Sequence, residues 1–426
     1  MIVDNKNILD TLKKEYANSP AIVIPIYSDI NKHRVINRLS ALYVYIINTN
    51  SDYMIPVNHS DKIFTIDNLQ FLNQNTNIVY TYSNGIKNAI NIDALHYMTN
   101  LCNIDKDKLL TSAHKYFYNK YWRLDNVNDI IPILKHLEYC NKIKDIVLDI
   151  KDNISMNGFD KYNEIMIPVF RSIENSGLAT NSGVEYTKYN LWTTTGRPSN
   201  SFNGINYAAL NKDDGSREKY ISRFDKGKLV EFDFDAYHLR LIAKMINYNK
   251  IPDSSFHTYL GQYYFDKTII TKDEYNESKS ISFKILYGGV PKEFENIPFF
   301  REVKTYIFEL WDIYKRKGYI ETPILKRKVF AKNLTDRNLK PQTLFNYIIQ
   351  AMETEQNALI IKTINEELKD QQSKLILYTY DALLFDIHPD EVNLLKIIKN
   401  KMLYPVKCKT GHNYNNMETY DFEHII

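Results

Sequence analysis

KLVEFDFDAYHLRLIAKMI (residues 228–246) and KLILYTYDALLFDI (residues 374–387) are the stretches that decide the fold. Each carries an apolar, strand-like run up to one aspartate, Asp233 and Asp381, where a polar turn begins. A strand end holds a charge more cheaply than a strand middle, because the end reaches water or a metal ion. Two such aspartates from distant segments are what two-metal phosphoryl or nucleotidyl transfer requires, with ions roughly 3.5–4 Å apart that clamp the attacking and leaving oxygens. Aspartates are also common turn residues, so the segments around and between the pair must settle the reading.

Between them lies YNESKSISFKILYGGV (residues 275–290). Lys279, Phe283 and Tyr287 recur every four residues and share one helical face. A lysine there suits a triphosphate and the aromatics suit a base; an amphipathic helix with core aromatics and a solvated lysine is the plainer alternative. The following Gly-Gly pair stops the helix. In LKPQTLFNYIIQAMETE (residues 339–355), Asn346 and Gln350 share one face of a largely apolar helix. Aligned amides can be satisfied in a core or can read minor-groove acceptors. Upstream of Asp233, YNLWTTTGRPSNSFNGIN (residues 189–206) mixes hydroxyls, amides, glycine and Arg197, which suits either an ordinary turn or a loop on a phosphate-sugar backbone. Lys315, Arg316, Lys317, Lys326, Arg327, Lys328, Lys332, Arg337 and Lys340 form a basic run, either a solvated face or a phosphate contact.

The 426-residue chain is 44% apolar and 25% charged, an ordinary globular composition with room for two or three domains. Its net charge of +3 does not by itself argue for a nucleic-acid partner. Cys102, Cys140 and Cys408 are odd in number and widely spaced, which points to a reducing compartment and away from a disulfide framework. No apolar run approaches a membrane span, so a soluble, cytoplasmic protein is expected. AIVIPIY, LSALYVYIIN, DYMIPV and IVYTY read as strands. Residues 104–180 switch to helical spacing, and residues 236–364 are mostly helical. The closing hairpin pattern is followed by a helix and a short tail.

In this order the segments resemble the family A DNA polymerases, the group of bacterial DNA polymerase I and related phage enzymes. TTTGRPSN with NGIN is similar to the family's template-primer motif, and VEFDFDAYHLRLIA to its first catalytic motif. SKSISFKILYGG resembles the nucleotide-binding fingers helix, LFNYIIQA the amide-bearing helix, and LYTYDALLFD the final catalytic hairpin; SFHTYLGQYYF and KTGHNYNNM fit as well. The match runs from about residue 130 to the end. It implies an α+β right hand: a palm sheet with helical fingers and thumb, preceded by a small exonuclease-like α/β domain. The expected ranges are 1–100 for the exonuclease-like domain, 101–190 for the thumb, 191–264 and 366–426 for the palm and 265–365 for the fingers.

Carried over residue by residue, the resemblance implies that Asp233 and Asp381, with the Phe234 carbonyl, hold two magnesium ions, manganese being an alternative. Lys279 and His257 contact the triphosphate, and Phe283, Tyr287 and His238 shape the nucleotide pocket. Arg197, Asn203, Asn346 and Gln350 touch primer-template DNA. The implied reaction joins deoxynucleoside triphosphates to a primer 3′-hydroxyl in a monomeric, phage-type enzyme. There are departures. The glutamate that blocks a ribose 2′-hydroxyl is His238 here; Tyr380 and Ala382 replace the histidine and glutamate flanking the last aspartate. Tyr275 replaces an arginine one turn before the fingers lysine, a contact that Lys272 could supply. Residues 21–28 and 78–92 lack the acids of a proofreading site, so the exonuclease fold is expected to be vestigial. A single-subunit RNA polymerase and a non-catalytic nucleic-acid-binding homologue are the alternatives.

Overall fold

The β-branched run AIVIPIY forms strand β1, Ala21–Tyr27, in a computed structural model that describes residues 1–27, 32–59, 69–82, 86–100, 104, 133–153, 159–250, 255–330 and 339–422. Cys102, Lys332, Arg337 and residues 105–132, the first part of the stretch expected to be helical over residues 104–180, lie outside these. Contacts divide the chain into two units, Met1–Asn163 and Glu164–Ile426.

In the first unit, helix α1 (Lys6–Ala17) starts at Asn5, whose side chain accepts from the Ile8 amide at 3.1 Å. Strands β2 (Leu39–Ile46) and β3 (Ser51–Pro56) pair antiparallel on one side of β1. Short strands β4 (Val79–Thr81) and β5 (Ala89–Asn91) pair parallel on the other, giving the order β3-β2-β1-β4-β5. Pairing with β4 ends at Val23, two residues before Pro25, which has no amide proton to offer a ladder. Helix α2 (Ile92–Asn100) follows β5, and helix α3 (Leu137–Ile150) packs on β1 and β2. The expected boundary after residue 100 therefore falls inside this unit. Leu12, Tyr16, Val23, Val44, Tyr53 and Val79 are among the residues of its core.

The second unit opens with α4 (Ile167–Ser176), a short hairpin of β6 (Leu178–Thr180) and β7 (Gly183–Glu185), and strands β8 (Tyr189–Asn190), β9 (Ser199–Phe202) and β10 (Ile205–Asn206). Its main sheet is built on β11 (Lys228–Phe234). Four helices follow: α5 (Tyr237–Met245), α6 (Phe256–Phe265), α7 (Lys272–Gly288) and α8 (Pro298–Lys317). A hairpin of β12 (Tyr319–Glu321) and β13 (Lys328–Phe330) precedes the 27-residue helix α9 (Pro341–Glu367). The chain then returns to the sheet as β14 (Lys374–Tyr378) and β15 (Ala382–Ile387), makes α10 (Leu394–Lys401), and ends in β16 (Val406–Gly411) and β17 (Glu418–Thr419). The antiparallel order is β14-β15-β11-β16-β17. What reads in the sequence as a short tail is thus two strands, one of them directly beside β11.

Register places Asp233 opposite Ala382 on one side and Lys407 on the other. The Phe234 amide donates to the Asp381 carbonyl at 2.8 Å, so both aspartates sit where the two strand ends are tied together. Under the sheet, Asp386 is fully buried; it accepts from Ser222 Oγ at 2.6 Å, the Arg223 amide at 3.0 Å and Arg223 Nε at 2.8 Å.

Helix α7 begins with a reciprocal cap in which Thr271 Oγ1 accepts from the Glu274 amide and the Glu274 carboxylate accepts from the Thr271 amide. It ends at Gly289, whose φ of +101° is open to glycine alone at little cost. Buried Ser278 and Ser282 let α6 come close: Ser278 donates to the His257 carbonyl at 2.6 Å, and Ser282 shares a hydrogen bond with Tyr264 at 3.0 Å.

Candidate functional site

A cavity of about 250 Å³ lies between β11, α5, α6, α7 and α9 in the second unit. Asp233 enters it from the end of β11 and Asp381 from the turn before β15. Burial first, then the facing Asp381, pushes the Asp233 carboxyl up to about 6. Burial and next Glu353 raise Asp381 as well. Two carboxylates that resist ionisation side by side form a place where a cation is stabilising. The donors, two carboxylates beside the Phe234 carbonyl, are all oxygens and fit a hard divalent ion. Among the described residues no three His, Cys, Asp or Glu side chains cluster to hold a metal, so an ion placed here would depend on non-protein oxygens for its remaining ligands.

Both aspartate-bearing turns are strained and held. Ala236 has φ of +52° and Tyr380 of +67°, a region that L-residues adopt only when their surroundings insist. The Arg197 guanidinium lies 3.7 Å over the Tyr380 ring. Asn357, fully buried on α9, donates from Nδ2 to the Tyr380 carbonyl at 2.7 Å and accepts from the Tyr237 hydroxyl at 2.7 Å. Tyr237 in turn stacks on Phe234 at 4.3 Å. One amide therefore ties the long helix to both turns.

Helix α7 presents Lys279, Phe283 and Tyr287 to the cavity. The two rings are nearly parallel, at 2°, and are 49% and 38% exposed, an uncovered aromatic face beside the carboxylates. The Lys279 ammonium sits 5.1 Å over the Tyr275 ring. Across from it, His257 is held near 4 by burial and then by Lys279, and its buried Nδ1 has no hydrogen-bond partner among the described residues. An orphaned ring nitrogen in a cavity fits a polar ligand atom.

His238 joins two walls. Its Nδ1 is hydrogen-bonded to the Tyr287 hydroxyl at 2.6 Å, and its Nε2 lies 2.9 Å from Glu353 Oε1, without the alignment of a hydrogen bond. The carboxylate favours the proton on Nε2, leaving Nδ1 to accept from Tyr287. Glu353 is 1% exposed and is neutralised by Arg197, with Nε at 2.8 Å and Nη2 donating at 3.3 Å. Gly196 brings this arginine in: its φ is +78°, and a Cβ there would meet Arg327 Nη2 at 2.7 Å. Beside Asp233, Asp235 pairs with Lys407 at 2.8 Å and Arg240 at 3.6 Å; burial works to raise its carboxyl, but the Lys407 ammonium and then Arg240 outweigh it and hold it below the ordinary carboxylate range.

Of the residues singled out in the sequence, Asp233, Phe234, Asp381, His238, His257, Lys279, Phe283, Tyr287 and Arg197 line this one cavity. Asn203 does not; it makes the tight β9–β10 turn with Gly204, both at positive φ. Asn346 and Gln350 are not among the lining residues. Asn346 Nδ2 donates to the Tyr287 carbonyl at 3.1 Å and, with Gln342, ties α9 to the end of α7. Lys272, the suggested substitute for the missing arginine, is an exposed first residue of α7 outside the cavity. Sequence reasoning missed Glu353, Asn357, Asp235 and Lys407. The signal for the first two was the polar run Glu353–Asn357 inside an otherwise apolar helix.

No family model matches the chain. It is 22% identical over 244 residues to DNA polymerase I of Bacillus subtilis (strain 168), a match covering 50% of this chain and 28% of that protein. The POL domain of Pol1 from M. smegmatis, in complex with DNA primer-template and dNTP, superposes with a TM-score of 0.75 at 12% identity, covering 97% of this chain and 99% of that one. The fold is that of a polymerase domain. The expected mixed α and β right-hand architecture is borne out at this level, while the chain spans little more than a quarter of the curated relative's length. Among the described residues no helix is long and apolar enough to cross a membrane.

Proposed function

We propose that the chain is a DNA-directed DNA polymerase that extends a primer 3′-hydroxyl with deoxynucleoside triphosphates. The observation that carries this reading is the convergence of Asp233, Asp381, Lys279 and the orphaned His257 on one cavity. Likeness in fold to a polymerase domain complexed with primer-template and dNTP supports it. Divalent ions held by Asp233 and Asp381 would lower the cost of the attacking oxyanion and of the departing pyrophosphate. Lys279 adds fixed positive charge where phosphate charge moves, and His257 Nδ1 gains a partner in a phosphate oxygen. Phe283 and Tyr287 offer the ring face for the incoming base. Most of the work is positioning, which explains why the two strand ends are tied together and to α9.

Asp233→Asn and Asp381→Asn test the assignment. Each should abolish primer extension while primer-template binding persists; extension near the wild-type rate by either would refute it. The first unit is read as an exonuclease-like scaffold without proofreading, since β1 carries no acid. A labelled single strand with magnesium should then stay intact.

One arrangement favours ribonucleotide tolerance as a second reading. In place of a single carboxylate, the sugar side of the cavity has His238 bonded to Tyr287 and backed by Glu353. Primer extension with the deoxy and ribo sets separates the two; equal use of both would favour the ribonucleotide-tolerant enzyme.

A further inference from the structure

A triphosphate needs cations along its tail, and the cavity's supply is uneven. Of the arginine and lysine side chains lining it, Arg197 is committed to Glu353, leaving Lys279 on α7 and Lys407 on β16. Tyr275, one turn before Lys279, brings an aromatic ring against Lys279 and His257 where a further cation would serve. Lys407 stands on the opposite wall. Register pairs it with Asp233, and cross-strand partners project to the same side of a sheet. Its ammonium rests 2.8 Å from Asp235 with the side chain 53% exposed, so the stem is free to swing and the pair is weakly held.

We propose that Lys407 is a catalytic residue of the nucleotide site: it leaves Asp235 for the β- and γ-phosphates of the incoming triphosphate and stabilises the departing pyrophosphate. This rests on the polymerase reading. In the reaction served, the primer 3′-oxygen bonds to the α-phosphorus and its proton passes to solvent. The α,β-bridging oxygen leaves with the bonding electron pair as pyrophosphate. Lys407 remains an ammonium throughout and acts by charge at the two tail phosphates. Lys279 acts from the helix wall and Lys407 from the sheet wall, so the tail is gripped from both sides.

The test uses the full chain with Lys407→Met, Lys407→Arg, Asp235→Asn and the Asp235→Asn/Lys407→Met pair, each shown to unfold near the wild-type temperature. Steady-state primer extension and its reversal by added pyrophosphate are measured, alongside extension with a γ-esterified deoxynucleotide that carries one charge fewer. Lys407→Met should raise KM for deoxynucleotide and for pyrophosphate by roughly tenfold, as expected for loss of a charged contact, with primer-template KM unchanged. Lys407→Arg should recover most of the loss, and the wild-type preference for the fully charged nucleotide should shrink in Lys407→Met. The paired variant decides between roles. If Lys407 only neutralises Asp235, removing both restores wild-type KM and the proposal falls; if it grips phosphate, the defect persists. Unchanged nucleotide and pyrophosphate KM in Lys407→Met, with the wild type active, would also overturn it. A wild-type chain that extends no primer would instead overturn the polymerase reading.

Discussion

Replacing Asn357 with leucine keeps the number and branching of side-chain heavy atoms and removes both of its hydrogen-bonding functions from a fully buried site. The Tyr380 carbonyl can only accept, so the amide nitrogen must face it, and the amide oxygen is left for the Tyr237 hydroxyl. Leucine strands both partners. Tyr237 is 4% exposed and cannot turn to water. A buried polar group left without a partner costs about 1–3 kcal/mol, so the variant should lose roughly 2–6 kcal/mol. At roughly 2–4 °C per kcal/mol for a unit of this size, a loss near 3 kcal/mol lowers the unfolding temperature by about 6–12 °C. Thermal unfolding of wild type, Asn357→Leu, Tyr237→Phe and the double variant measures this. The cycle should give a coupling of roughly 1–2 kcal/mol, because each single change already removes the shared bond. Catalysis should respond as well: loosened turns blunt kcat and raise the half-saturating magnesium concentration, with nucleotide KM changing less. Strict additivity between the two substitutions, or an Asn357→Leu protein as stable as wild type, would show that the amide does not bind the turns to the helix.

Asp386→Ala removes a fully buried carboxylate from Arg223 and should cost roughly 3–5 kcal/mol in denaturant unfolding, with activity per folded molecule retained. Asp233 supplies a pH dependence of unusual sign. Its folded value of about 6 lies above the ordinary 3.8, so between these the folded chain binds more protons than the unfolded one. In chelator, the stability difference between wild type and Asp233→Asn should therefore shift against wild type as pH rises from about 4 to 6, and magnesium should reverse the shift; a flat difference would mean that the carboxyl is not raised. Phe283→Tyr adds a hydroxyl at the exposed face of α7, inside the expected nucleotide pocket, and should raise dideoxynucleotide use by roughly tenfold relative to deoxynucleotide, whereas an unchanged ratio in competition assays would show that position 283 does not sense the incoming sugar.

The parts of this structure legible in sequence are those whose signal is local. Asp233 and Asp381 could be read because an apolar, strand-like run gives way to a polar turn at each of them. Lys279, Phe283 and Tyr287 could be read because a spacing of four marks one helix face. Strand β16 was missed because VKCKTG alternates lysines with small residues; its burial comes from β11 and β17 on its two flanks and not from its own composition. Asn203 and Asn346 carry residue types suited to DNA, and in the structure one sits at a positive-φ turn and the other donates to the end of α7. Amide chemistry suits both tasks equally, so residue type alone could not choose.

What stayed hidden was pairing across elements. His238 reads as a loss when its position is inspected alone, since a carboxylate is expected there. In space a carboxylate is present: it arrives from α9 as Glu353, with Arg197 to neutralise it and Tyr287 bonded to the imidazole. Asp235 likewise reads as surplus acid next to Asp233 until Lys407 appears opposite, and Tyr275 as a missing cation until the same lysine is seen lining the cavity. Each sits on α5, on α7 or in the turn between β11 and α5 and has its counterpart on α9 or β16, more than a hundred residues away in chain order. A buried charge tolerates no unpaired neighbour, so a change at one wall of such a cavity is viable only with a matching change at another. The departure at His238 is therefore better understood as half of a rearranged pair than as decay, and a variant that exchanges His238 or Glu353 alone should be worse than one that exchanges both.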